Sequence, residues 1–110
     1  MNDFGLRFVL LFLASVALVS AGSLAATADD VAVFVRTHCI DCHGPDAQEG
    51  GLRLDTFSLD PARIAESANA LRAIVRVHDR VRDGEMPPKD VTQPSIGERQ
   101  KFLAALAPVI

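Results

Sequence analysis

The pentapeptide Cys39-Ile40-Asp41-Cys42-His43 holds the only two cysteines of the chain, with a histidine directly behind the second. Two thiols at that spacing followed by an imidazole form the attachment signature of a c-type haem. The thiols can be consumed as thioether links to the vinyl groups of the macrocycle. His43 is then placed beneath the iron as its proximal ligand. The redox chemistry of such a protein belongs to one covalently bound haem c, and the chain's task is to hold it.

The same cysteines admit three other readings. A redox-active dithiol of the thioredoxin kind needs a strand before the pair and a βαβ unit around it, and strand signals are almost absent downstream of the motif. A structural zinc site needs four ligands. Cys39, Cys42, His43 and one of His38 or His78 could supply them, but the adjacent Cys42 and His43 would have to bend onto one ion. A plain disulfide, stapling a haem-free interaction domain, is the simplest alternative. An export signal, the lack of further cysteines, a helical context and a downstream methionine loop favour haem.

A sixth ligand is sought next. Met86 lies in Gly84-Glu85-Met86-Pro87-Pro88, and its thioether can sit opposite histidine on a haem iron. Methionines more often fill apolar gaps, yet this one stands among glycine, glutamate and prolines. Met1 is the other methionine. His78 is the competitor, because it falls on the apolar stripe of a predicted helix, and it would give a bis-histidine iron. His38 is expected to face solvent or the haem propionates and receives no role.

These groups need elements to position them. Asp29 or Asp30 can cap a helix in which Val31, Phe34 and Val35 share one face leading into the cysteines. From Gly44 to Asp60 the signals are those of loop, with breaks at Gly44-Pro45-Asp46 and Gly50-Gly51. Leu52 and Leu54 alternate with Arg53, so both leucines can face the haem. Asp60-Pro61 opens a short helix through about residue 66. The clearest helix spans about 69–82, with Leu71, Ile74, Val75, His78 and Val81 as its stripe and Gly84 as its terminator. The two prolines after Met86 stiffen a connecting loop. Ser95-Ile96-Gly97-Glu98 reads as a capping box for a last helix that buries Phe102, Leu103 and Leu106. The expected fold class is all-α, three to four short helices around the haem.

The 110 residues allow one domain at most. Residues 8–28 are uncharged, and Ala26-Thr27-Ala28 fits a small-residue cleavage site, so 1–28 reads as a secretory signal peptide. The uncleaved alternative is a membrane anchor over 8–28, since about 20 apolar residues span a bilayer. Its second half of small residues favours cleavage. The haem domain is then 29–110, periplasmic or otherwise exported. So small a domain needs a staple, and a covalent haem supplies one. The net charge of −3 gives no nucleic-acid signal. Arg72, Arg76, Arg80 and Arg82 are interspersed with Asp79, Asp83 and Glu85, as on a solvated helix face. A membrane partner enters only if the leader stays attached.

Cys39 to Gly44, followed by Gly50-Gly51-Leu52-Arg53-Leu54-Asp55 and later by Gly84 to Pro88, resembles the planctomycete-type cytochrome c module over about residues 30–107. The resemblance implies a class I cytochrome c-like fold whose first and last helices cross beside the haem. It carries Cys39 and Cys42 over as thioether sites, His43 as the proximal ligand and Met86 as the distal one. Better-known class I cytochromes place a proline about a dozen residues past the haem histidine; Asp55 stands there here. A backbone carbonyl within 50–54 is therefore expected to accept the His43 Nδ1 proton. Leu52, Leu54, Leu71, Ile74, Val75 and Phe102 are expected to enclose the haem, with Arg53 a candidate partner for a propionate. The implied function is one-electron transfer to redox partner proteins in the periplasm, with no catalytic residues. The alternatives are a haem sensor, or the N-terminal haem module of a larger oxidoreductase.

Overall fold

The structure is a computed structural model that describes residues 26–110. The leader expected over 1–28 thus lies, but for its last three residues, outside the described residues. Four helices carry the fold: α1 (Ala28–His38), α2 (Pro61–Glu66), α3 (Ala68–Arg82) and α4 (Ile96–Leu106), with a short 3-10 turn at Glu49–Gly51. Among the described residues there is no strand, only an isolated bridge between His43 and Gln48. The all-α expectation holds. No helix of the described residues is long and apolar enough to cross a membrane.

Helix boundaries follow from local hydrogen bonding. The Asp30 carboxylate accepts the Thr27 N–H at 2.6 Å. Thr27 therefore caps α1 and Asp30 serves as its third residue, where a direct cap by Asp29 or Asp30 was expected. Asp60 accepts from the Ala62 N–H at 3.0 Å with Pro61 behind it, opening α2 as expected. Ser67 accepts from Ala70 at 3.3 Å and starts α3 directly afterwards. In α4 the capping box is complete: Glu98 N–H donates to Ser95 Oγ at 3.1 Å and Ser95 N–H to Glu98 Oε2 at 2.6 Å. Those bonds hold the Glu98 carboxyl below its usual range, with the Ser95 backbone bond the largest cause.

The end of α3 matters most for function. Gly84 takes φ +74°, a left-handed conformation that costs other residues about 1–2 kcal/mol. With it, Gly84 N–H bonds Val81 O at 3.2 Å and Glu85 N–H bonds Arg80 O at 2.9 Å. These are the two bonds of a Schellman motif. Met86 N–H also donates to Arg80 O, at 3.2 Å. The helix terminator thus delivers the methionine.

The core joins all four helices. Val31, Phe34 and Val35 of α1, Ile64 of α2, Ala70, Ile74, Val77 and Val81 of α3, and Phe102 and Leu106 of α4 are buried, together with Leu54. Phe34 stacks on Phe102 with ring centroids 4.3 Å apart and planes 24° from parallel, locking α1 to α4. The buried stripe of α3 corrects the expected one. Ile74 and Val81 belong to both, but Ala70 and Val77 are buried where Leu71, Val75 and His78 were expected, and those three are half-buried flanks. The two stripes differ by one position, and alanine contributes too little apolar signal to fix the phase.

Candidate functional site

The cysteine motif is wound directly off the end of α1. Cys39 and Ile40 N–H groups both donate to Val35 O, at 3.0 and 3.1 Å. Cys39 O then accepts from Cys42 (3.2 Å) and His43 (2.9 Å), which curls the pentapeptide into a tight turn. Gly44 closes it. A Cβ at that position would lie 2.5 Å from Ile40 O, so only glycine fits without moving backbone. Three further bonds tie the following loop back onto the turn: Gly44 N–H to Ala47 O and Glu49 N–H to Cys42 O, both 2.9 Å, and Leu54 N–H to His43 O, 2.8 Å. Gly50 and Gly51, at φ +62° and +72°, make the reversal that lets Leu52 and Leu54 return beside the motif.

Cys39, Cys42, His43 and Met86 line one cavity of about 400 Å³, within the roughly 300–1,000 Å³ of sites that take small molecules and cofactors. Its walls are mainly apolar: Leu52, Leu54, Val77, Val81, Pro87 and Val91. His38, Glu49, Arg76 and Arg80 supply its charged or titratable groups. The thiols stand unlinked. Burial, aided by the neighbouring Cys42, pushes the Cys39 thiol up to about 12. His43 Nδ1 is buried without a hydrogen-bond partner, and so is His38 Nε2, whose nearest carboxylate oxygen, Glu98 Oε1, lies 3.6 Å away. Two thiols, an imidazole and a thioether around an apolar cavity fit a haem: the thiols for its vinyl groups, the other two for its iron. Among the described residues no three His, Cys, Asp or Glu side chains gather to hold a metal ion directly.

Other expectations need correction. His78 does not line the cavity; its Nδ1 lies 3.1 Å from Asp79 Oδ1 on the flank of α3. Leu71, Ile74, Val75 and Phe102 are not in the wall either. Ile74 and Phe102 are spent in the interhelical core, and Val77, Val81, Pro87 and Val91 take their place. Arg53 also stays out of the wall, because its guanidinium is occupied by Asp55, with Nε 3.0 Å from Oδ1. That pairing holds the Asp55 carboxyl below its usual range. The expected carbonyl partner for His43 Nδ1 is missing: the 50–54 segment meets His43 through its main chain, as the Leu54 bond shows. His38 is not solvent-facing. Its side chain is 9% exposed and packs against Phe34 at 5.0 Å between ring centroids.

Two residues escaped the sequence reading. Arg99 of α4 donates from Nη1 to Val81 O (2.9 Å) and Met86 O (3.1 Å), and from Nη2 to Gln93 Oε1 (3.2 Å). Gln93 Nε2 lies within hydrogen-bond distance of Pro88 O (2.7 Å), Val91 O (3.1 Å) and Pro87 O (3.3 Å). A lone arginine and a lone glutamine carry no spacing signal; apart from each other, their partners are main-chain carbonyls, invisible to side-chain pattern.

No curated protein and no solved structure matches the chain. Residues 39–90, which contain both cysteines, His43 and Met86, match the family model of Planctomycete cytochrome C, a match that supports a planctomycete-type cytochrome c module in this chain.

Proposed function

We propose that the protein is an exported carrier of single electrons, holding one haem c through thioethers from Cys39 and Cys42 and ligating its iron with His43 and Met86. The observation that carries this reading is the convergence of those four groups on one cavity, with His78 outside it. When bound, the haem supplies a ferric–ferrous couple. The chain's residues then do three things. His43 and Met86 would hold the iron between them and leave no position open for a substrate. Leu52, Leu54, Val77 and Val81 keep water from the macrocycle and lower the local dielectric. The Met86 thioether, a weaker electron donor than imidazole, favours the ferrous form and raises the potential. Residues 1–28 act as a signal peptide that brings the chain to the compartment where haem is attached, and the partners are redox proteins of that compartment.

The test is spectroscopic. Met86→Ala removes the weak near-infrared charge-transfer band of thioether-ligated ferric haem and lowers the potential, whereas His78→Ala leaves both unchanged. Loss of that band in His78→Ala, with retention in Met86→Ala, overturns the ligand assignment. Carbon monoxide binding to the reduced wild type would instead favour a sensor.

A further inference from the structure

The loop that presents Met86 has a shortage of donors. Pro87 and Pro88 have no N–H, so this stretch can accept hydrogen bonds but scarcely make them. Its carbonyls are nevertheless engaged one after another: Met86 O by Arg99, Pro87 O and Pro88 O by Gln93. Arg99 also holds Val81 O, in the last turn of α3, and reaches Gln93 Oε1 with its second amino group. One guanidinium thus grips the helix before the loop, the ligand residue itself and the side chain that grips the rest of the loop. Arg80 O holds Met86 from the other side through its N–H. Both main-chain polar groups of Met86 are therefore fixed, although the residue is 37% exposed and has little packing of its own to hold it.

We infer that Arg99, acting with Gln93, is a positioning residue that sets the strength of Met86 ligation. This rests on the reading of Met86 as the distal ligand. Arginine suits the task because its planar fork offers five donors in fixed directions; a lysine ammonium could serve the Val81 and Met86 carbonyls but not Gln93 as well. A braced loop holds the thioether near its bonding position, so dissociation gains it little freedom. An unbraced loop lets the thioether leave, and an exogenous ligand competes better. Arg99 lies outside residues 39–90, so α4 supplies the module with a control over its ligand as well as packing.

The experiment measures imidazole binding to ferric, haem-loaded protein, together with the near-infrared band and thermal unfolding. Arg99→Ala is expected to tighten imidazole binding by about tenfold or more, a factor equivalent to about 1.4 kcal/mol, and to weaken the band. Haem content should be unchanged. Arg99→Lys should fall between Arg99→Ala and wild type, and Gln93→Ala should shift affinity in the same direction. Ile64→Val, which loosens the α2–α3 contact away from the cavity wall and the loop, is the control for general destabilisation: it should lower the unfolding temperature and leave imidazole affinity alone. If Met86→Ala abolishes the band but Arg99→Ala binds imidazole like wild type, the brace is refuted while the ligand reading stands. An affinity change in Ile64→Val equal to that in Arg99→Ala also refutes it. If Met86→Ala retains the band, the ligand reading itself has failed.

Discussion

Replacing Gly44 with alanine tests whether the Cys39–Gly44 turn is held by sterics. The added Cβ would sit 2.5 Å from Ile40 O and 3.4 Å from both Ile40 C and Cγ2. Separations under 3.0 Å are essentially never adopted, and the nearest atom is backbone, so no rotamer change relieves the contact. The turn must open by about half an ångström, against the Gly44–Ala47 bond on one side and the Cys39–His43 bond on the other. Overpacking of this kind costs about 1–3 kcal/mol, offset by about 0.4–1 kcal/mol from the stiffer unfolded chain. The net is roughly 1–2 kcal/mol, or about 5–15 °C in a domain of this size. Because Ile40 lies between the two cysteines, the shift also moves the thiols, so covalent haem per chain should fall. Thermal unfolding of the loaded protein and pyridine haemochrome content measure the two effects. Gly50→Ala is the contrast: φ is +62° there with open space around it, so stability drops by about 1–2 kcal/mol while haem content holds. Unchanged unfolding temperature and haem content in Gly44→Ala would refute the steric account.

Two further outcomes follow from the protonation states. Ser95→Ala removes one arm of the α4 capping box and should cost about 1 kcal/mol in urea titrations at neutral pH. Because the Glu98 carboxyl is held below its unfolded value, its contribution is present above the unfolded pKa and fades as pH falls through the folded one. The penalty of Glu98→Gln, which removes that charge while Ser95 keeps its backbone N–H, should therefore shrink in acid, and a penalty that grows there would contradict it. In chain produced without haem, burial that pushes Cys39 up to about 12 keeps its thiol protonated, so alkylation near pH 8 should be much slower folded than in urea. The sign for stability follows: between 9.0 and about 12 the unfolded chain releases a proton that the folded one retains, so the haem-free fold weakens as pH rises through that window. Equal alkylation rates in buffer and urea would count against it.

The features legible in the sequence were those whose partners lie within a few residues. Ser95 with Glu98, Asp60 with Ala62 and Gly84 after α3 announce themselves because capping is local chemistry. The cysteine pair and His43 were legible for the same reason. What failed needed tertiary information. The stripe of α3 was read one position out because Leu71 and Val75 outweigh Ala70 in any apolar pattern, yet the closeness of packing favoured the smaller residue. His78 looked like a ligand candidate only on that misplaced stripe. Arg53 looked free because nothing in an alternating pattern says that the aspartate two residues on will take its guanidinium.

The matched segment, residues 39–90, carries the groups that would bind haem, and residues outside it hold both of its ends in place. The Cys39 and Ile40 amides hang from Val35 O in α1. The α1 helix is in turn held by the Phe34–Phe102 stack against α4, and the Met86 carbonyl is held by Arg99 of α4. Proximal and distal sides of the cavity are therefore referred to one element, the last helix, from opposite directions. An insertion within the 89–95 connection would leave every candidate ligand in place while changing where α4 sits. Its effect on axial ligation would then exceed that of conservative changes in the cavity wall, because an apolar wall tolerates volume-conserving swaps and a fork of directed hydrogen bonds does not.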